Sequence, residues 1–166
     1  MAWKETTATA WDGIDFKVGT PGPNNTMATS FTTIGCVLDM QLETEDGEKV
    51  DLKDINGSLV GHKQKANINR FIVQVKNLNK SNLEKFWQIE EDTTNGTLKV
   101  KSTTTSKNYS IQVLNTVQNA EIISAAYCSV SAKMTFDKDK GYGLEVTFTI
   151  LDPANGKEIF VVGQTA

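Results

Sequence analysis

Asp-Gly and Asn-Gly dipeptides constrain the fold of this chain more than any other feature, because they recur five times within 166 residues. Asn and Asp tolerate a positive φ and Gly has no Cβ to oppose it, so such pairs suit the tight turns of β-hairpins. Several of them separate runs in which apolar and polar residues alternate with the two-residue period of a half-buried strand. The chain is therefore predicted to be mainly β, as an antiparallel β-sandwich or a partly open barrel. The five pairs are Asp12-Gly13, Asp46-Gly47, Asn56-Gly57, Asn95-Gly96 and Asn155-Gly156.

The length and charge of the chain narrow its class further. A formal net charge of −3 and a pI near 5.2 give no basic footprint for binding nucleic acid through phosphates. No stretch approaches the ~18 apolar residues of a membrane span, and the first thirty residues do not resemble a signal peptide. We therefore expect a soluble protein that is made in the cytoplasm.

The domain prediction divides the chain at residue 30. Residues 1–30 contain a Gly- and Pro-rich run at 19–25 that sustains neither a helix nor a central strand, so they are predicted to form an N-terminal arm. Because Trp3 and Trp11 are unusual in a solvated tail, the arm is expected to dock on its own domain or on a neighbouring subunit. Residues 31–166 are predicted to be a single β-sandwich domain, with strands over 31–43, 66–76, 97–104, 109–114, 121–136, 142–151 and 157–162.

One short amphipathic helix is predicted near residues 78–87. Leu83, Phe86 and Trp87 share one side at helical spacing and are expected to anchor the helix on the sheet. Ser81 and Glu84 have the spacing of a capping box, and Asn79 is a rival N-cap.

The sequence carries no catalytic signature. His62 is the sole histidine and stands in a polar loop without partners, which is typical of a solvated side chain. The acidic residues between 43 and 54 lack the ligand order of a calcium loop, and residues 57–63 lack the Lys-Ser/Thr ending of a phosphate-binding loop. Cys36 and Cys128 are expected to be free thiols. No enzyme activity, metal site or cofactor is therefore predicted.

The order of these segments resembles that of bacteriophage major tail tube proteins, within the tail tube and secretion tube β-sandwich superfamily. The resemblance covers about residues 31–162 and is a pattern of elements rather than of invariant residues. Its parts are the strand around Ile34-Gly35-Cys36-Val37, the acidic hairpin that turns at Glu45-Asp46-Gly47-Glu48, the loop from Asp54-Ile55-Asn56-Gly57-Ser58 onward, the helix at 78–87, and the closing strand at 142–151 with its Pro/Gly turn at 152–158.

The resemblance implies a structural subunit that forms rings, six-membered in that family, which stack into a conduit for DNA. It implies that the protein's partners are further copies of itself and other tail proteins, that DNA passes without sequence-specific binding, and that the protein resides in the virion tail. By position, the segment from Glu43 to Lys65 is similar to the extended loop through which such rings contact one another. The candidate assembly residues are Trp3, Trp11, Glu45, Asp46, Lys49, Lys53, Gly57, Gly61, His62 and Lys63.

Two other functions stay open from the sequence. One is a ligand-binding β-sandwich, such as a carbohydrate-binding or adhesin domain that stacks sugars on Trp3, Trp11 or Trp87. The other is a secretion-system tube protein of similar fold. The sequence also leaves open whether the tail is contractile.

Overall fold

The computed structural model describes residues 14–35, 37–76, 79–104, 107–115, 120–139, 141–153 and 159–163. The fold is mainly β, with antiparallel sheets and one short α-helix, as the sequence predicts. The elements are β1 (Ile14–Gly19), β2 (Thr32–Thr33), β3 (Val37–Glu45), β4 (Lys49–Lys53), β5 (Leu59–Gln64), β6 (Ile68–Val75), α1 (Lys80–Phe86), β7 (Trp87–Asp92), β8 (Thr97–Thr104), β9 (Asn108–Asn115), β10 (Ala120–Asp137), β11 (Gly141–Ile150) and β12 (Val161–Val162).

The main sheet follows the order β2-β1-β9-β10-β11-β6-β3, and β12 pairs with β10 beside this path. Every pairing in it is antiparallel. Two separate hairpins, β4–β5 and β7–β8, complete the strands of the described residues. The predicted strands at 97–104, 109–114, 121–136 and 142–151 are confirmed as β8 to β11.

The main sheet curls so that its two halves enclose the core. Phe16 of β1 is fully buried, and its ring centroid lies 6.3 Å from that of Phe71 on β6 and 5.1 Å from that of Phe148 on β11. The long strand β10 pairs with β9 in one half and with β11 in the other, so it joins the two layers. The result is an open, sandwich-like domain.

The helix α1 closes one end of this core. Asn79 is its N-cap and accepts a hydrogen bond from the Asn82 backbone N–H, so the rival cap and not Ser81 begins the helix. Asn82 is itself buried and donates its side-chain amide to the Ile34 carbonyl at 2.6 Å. The Tyr109 hydroxyl donates to the Lys85 carbonyl at 2.8 Å. These bonds fix the helix to β9 and to the segment between β2 and β3.

Two boundaries differ from the sequence prediction. Residues 14–19, which the sequence prediction places in the arm, form the strand β1, which pairs with β2 and β9. This strand belongs to the domain because the side chains of Phe16 and Val18 are buried in the core. The predicted strand at 31–43 is interrupted at Gly35, whose φ of 102° breaks the extended chain before β3 begins.

The predicted hairpin around Asp46-Gly47 is wrong, because β3 pairs with β6 and β4 pairs with β5. Gly47 instead packs tightly, since a Cβ there would lie 1.9 Å from the Lys65 carbonyl oxygen. The turn of the real hairpin lies at Asn56-Gly57, where Gly57 has a φ of 82°, and Gly96 turns β7 into β8. The pairs Asp12-Gly13 and Asn155-Gly156 lie outside the described residues.

Candidate assembly surfaces

Within the part of the chain that the structure describes, a four-stranded portion of the main sheet has two open edges. It consists, in order, of β3, β6, β11 and the distal half of β10, residues 130–137. Among the described residues, β3 pairs only with β6. On β10 the pairing with β9 stops at Ser129, so the one described strand that pairs with residues 130–137 is β11. We call this part the four-stranded sheet.

The apolar face of the four-stranded sheet continues beyond the core to both edges. In its middle, Val73, Val146 and Phe148 are fully buried. At the edges of the same face, Leu42 on β3 is 51% exposed and Met134 on β10 is 48% exposed. The layer that contains β1 and β9 therefore covers the centre of this face and leaves the apolar side chains at its two edges exposed.

The opposite face of the four-stranded sheet is mostly polar. Arg70 pairs with Glu45 at 2.7 Å, and Lys133 pairs with Glu145 at 2.9 Å. The two cations within the strands of this face are thus each paired with a carboxylate, and the carboxylates of Asp39 and Glu43 add negative charge beside them. The strand register places all of these side chains on the face away from the core. Lys76, just beyond β6, lies close to Asp39 at the end of this face.

The strands β4 and β5 form a hairpin, which we call the projecting hairpin, that stands clear of the domain. None of its strand residues is buried. Its base is fixed where the Lys65 N–H donates to the Glu48 carbonyl and the Gly47 N–H donates to Asn67. Since a two-stranded hairpin alone is only marginally stable in water, this exposure needs an explanation.

Hydrogen bonds to Asp54 order the tip of the projecting hairpin, and an apolar side chain is exposed at this tip. The Asp54 carboxylate accepts hydrogen bonds from the backbone N–H groups of Asn56 and Ser58. Ile55, between Asp54 and Asn56, is 99% exposed. The other apolar residues of the hairpin are all more than two-fifths exposed: Val50, Leu52, Leu59 and Val60.

A groove with both polar and apolar walls lies at the opposite end of the four-stranded sheet, where β10 turns into β11. Its volume is about 300 Å³, and its apolar side chains are Leu38, Val75, Phe136, Tyr142 and Leu144. The rings of Phe136 and Tyr142 are 70% and 65% exposed, and their centroids are 4.9 Å apart. The sequence analysis did not single out this groove, although Phe136 and Tyr142 flank a turn and such neighbours face each other across a hairpin.

The predicted assembly residues fall into three groups. Lys49, Lys53, Gly57, Gly61, His62 and Lys63 all lie on the projecting hairpin. Glu45 lies at the end of β3, paired with Arg70, and Asp46 is exposed next to it. Trp3 and Trp11 lie outside the described residues. Of the helix anchors, Leu83 and Phe86 are buried, whereas Trp87 is half-buried and is the first residue of β7 rather than part of the helix.

The shifted pKa values of the described residues have structural causes. Burial raises the pKa of the Cys128 thiol to about 12 and also raises the pKa of Tyr109. Burial lowers the pKa of Lys85, and hydrogen bonds from Asn95 lower the pKa of the Asp92 carboxyl at the β7–β8 turn. Three of these groups are neighbours, because Tyr109 is the register partner of Cys128 and donates its hydroxyl to the Lys85 backbone carbonyl.

The described residues offer neither a metal-binding cluster nor a membrane-spanning helix. Within the described ranges, no group of three or more His, Cys, Asp or Glu side chains is placed to hold a metal ion. In the same part of the chain, no helix has the length and hydrophobicity needed to cross a membrane.

Comparison with known proteins gives a likeness among solved structures but none among sequences. No family model matches the chain, and no curated protein matches its sequence. Among solved structures, the chain is similar to a chain from the tail of an empty GTA particle, reconstructed by helical refinement with C6 symmetry. The two share 11% sequence identity with a TM-score of 0.47, over 96% of this chain and 100% of that one.

Proposed function

We propose that this protein is a non-catalytic structural subunit of a phage or prophage tail tube, which self-assembles into stacked rings that form a conduit for DNA. The observation that carries the proposal is the four-stranded sheet with its two open edges. The resemblance of the sequence to tail tube proteins agrees with it and implies six copies in each ring. Other tail proteins are the expected further partners, in a virion tail assembled from protein made in the host cytoplasm.

The two edges suit pairing between different copies. Because successive strands of the four-stranded sheet are antiparallel and their number is even, β3 runs antiparallel to the distal half of β10. The β3 strand of a neighbouring copy can therefore pair with β10 and continue the antiparallel order of the sheet. The same contact then repeats from copy to copy, and such a head-to-tail interface closes into a ring when its rotation allows.

Pairing of the edges also covers the bare apolar margins. Leu42 on the β3 edge and Met134 on the β10 edge lie on the same face of their sheet. When the edges meet, the two margins become neighbours in one layer and shield each other from water. An unpaired strand edge next to apolar side chains is otherwise a template for aggregation.

The domain's shape decides which face of such a ring points inward. The layer that contains β1 and β9 covers the apolar face, so the bulk of each subunit lies outside the ring and the polar face lines the lumen. There Arg70 and Lys133 are held by Glu45 and Glu145. Because DNA binds through free Lys and Arg, a lining of paired cations and additional carboxylates would let DNA slide without adhering.

The test compares assembly of the wild-type protein with that of an edge variant, by negative-stain microscopy and light scattering. A Lys at an inward-pointing edge position prevents strand pairing between molecules. We therefore expect rings or tubes from the wild type and monomers from Leu42→Lys. Met134→Lys, on the opposite edge, should give the same result.

Val162→Lys is the matched control. Val162 is 52% exposed, like Leu42, but lies on β12 beside the proximal half of β10. This variant should assemble as the wild type does. A wild-type protein that remains a monodisperse monomer would refute the proposed function, and one that then binds glycans would favour the ligand-binding alternative.

A further inference from the structure

We propose that Asn95 is a site of spontaneous deamidation in the folded protein, and that Asn56 is protected from the same reaction. The two residues begin the Asn-Gly pairs that turn β7 into β8 and β4 into β5. Both turns are complete within one subunit, so the modification does not depend on assembly of the protein.

Deamidation of an Asn-Gly pair consumes only water. The backbone nitrogen of Gly96 forms a bond to Cγ of Asn95 and loses its proton, while the Cγ–Nδ2 bond breaks and ammonia leaves. Water then opens the cyclic succinimide at either carbonyl, which gives aspartate or isoaspartate at position 95. Because Gly has no Cβ, its nitrogen approaches Cγ more easily than the nitrogen of a residue with a side chain. The rate therefore depends on whether the Gly nitrogen is available to attack.

The two turns differ at this nitrogen. In the β4–β5 turn, the Gly57 N–H donates to the Asp54 carbonyl at 3.0 Å. In the β7–β8 turn, the Gly96 N–H has no acceptor among the described residues. Both Asn-Gly pairs are exposed, so water reaches each of them. The attacking nitrogen is thus held back next to Asn56 and is available next to Asn95.

The Asn95 residue is held by Asp92 through atoms other than the attacking nitrogen. Its Nδ2 donates to Asp92 Oδ2 at 3.0 Å, and the amide orientation is fixed because an ionised carboxylate only accepts. Its backbone N–H donates to Asp92 Oδ1 at 3.2 Å. The space around Gly96 is open, since a Cβ built there would meet no atom within 4 Å.

Deamidation would remove a donor on which the β7–β8 turn depends. A carboxylate at position 95 would face Asp92 Oδ2 where the amide now donates, so repulsion between like charges would replace a hydrogen bond. An isoaspartate would also add a methylene to the backbone between Asp92 and Thr97, which are register partners at the end of this hairpin. The modification would therefore loosen the β7–β8 hairpin as the protein ages.

The first experiment compares the two sites within one sample. The folded wild-type protein is incubated at mildly alkaline pH, and the tryptic peptides 54–63 and 86–99, which contain one site each, are analysed by mass spectrometry. A zero-time sample corrects for deamidation during digestion. We expect position 95 to react roughly fivefold faster than position 56, the ratio that a net hydrogen-bond contribution of about 1 kcal/mol gives. Equal rates, or a faster reaction at position 56, would overturn the proposal.

The unfolded protein and one variant show whether the structure causes the difference. In guanidinium-unfolded protein the two rates should converge, and a ratio that persists there would overturn the proposal. Asp54→Ala removes the carboxylate that accepts the N–H groups of Asn56 and Ser58, so the tip should open and release the Gly57 N–H. In this variant the rate at position 56 should rise towards that at position 95. An unchanged rate at position 56 would contradict the protection.

The second experiment measures the effect of the product on the turn. Asn95→Asp places a carboxylate next to Asp92 and removes the side-chain hydrogen bond between them. Asn56→Asp is the matched control, because it adds the same charge to the other turn without changing the Gly57 hydrogen bond. We expect a lower melting midpoint for Asn95→Asp than for Asn56→Asp. The reverse order would show that the Asp92 contact does not hold the turn, and would overturn the proposed effect of ageing.

Discussion

Phe16→Ala tests whether β1 belongs to the core of the domain. Phe16 is completely buried between two aromatic rings of the opposite layer, and its truncation removes both contacts. Such a change in a core costs about 3–5 kcal/mol of unfolding free energy, from lost transfer energy and the cavity left behind. For a chain of this size, about 2–4 °C of melting temperature corresponds to each kcal/mol, so the midpoint should fall by roughly 10 °C.

The matched control for this variant is Phe136→Ala. It makes the same chemical change at a ring that is 70% exposed, so it should cost under about 1 kcal/mol. Both variants are measured by denaturant unfolding, with the slope of the transition checked to be unchanged. Equal midpoints for the two variants would show that residues 14–19 do not hold the layers together, and the assignment of β1 to the core would then be wrong.

Two further predictions concern local chemistry. Asn79→Ala should lower the unfolding free energy by about 1 kcal/mol because it removes the helix cap. Ser81→Ala should change the unfolding free energy by less than about 0.5 kcal/mol. Equal effects of the two variants in denaturant unfolding would refute the assignment of Asn79 as the cap. The buried Cys128 thiol should resist alkylation in the folded protein. Its pKa of about 12 in the folded protein lies above the unfolded value of ~8.5. The contribution of this thiol to the unfolding free energy should therefore be complete below about pH 8.5 and decline as the pH rises towards 12. In Cys128→Ala this alkaline decline should be smaller, and an identical pH profile of the melting midpoint would contradict the reasoning.

Strands with regular alternation are the part of the fold that the sequence predicts best. In β11 the residues Leu144, Val146, Phe148 and Ile150 are all buried and are spaced two apart, so the pattern alone places the strand and its inner face. The strand β1 has the same period but only six residues, and a Gly- and Pro-rich run follows it. Because of that run, the sequence predicts an arm here rather than a strand. Only the burial of Phe16 in the core reveals the strand.

Strand partners are harder to predict than strands. The turn signals at Asp46-Gly47 and Asn56-Gly57 are equally good locally, and each could join a pair of adjacent strands. The choice depends on β6, whose residues pair with β3 and β11 on its two sides. Because that arrangement is set by burial between distant segments, the local turn signal could not reveal it. The groove at the β10–β11 turn escaped prediction for a similar reason, since Leu38 and Phe136 both line it only because of the order of β3, β6, β11 and β10 in the sheet.

The charges along the two open edges favour head-to-tail assembly over a two-fold dimer. The β3 edge carries the carboxylates of Asp39 and Glu43 on its polar face, whereas the β10 edge carries Lys133 there. If two β3 edges paired with each other, acidic side chains would be brought together, and like charges opposite each other in a sheet are destabilising by a few tenths of a kcal/mol or more. Pairing of β3 with β10 instead brings carboxylates beside an ammonium group. In the proposed ring, the residues that would keep the lumen acidic would thus also favour the repeating contact, because specificity depends on the difference in free energy between the wanted and the unwanted pairing.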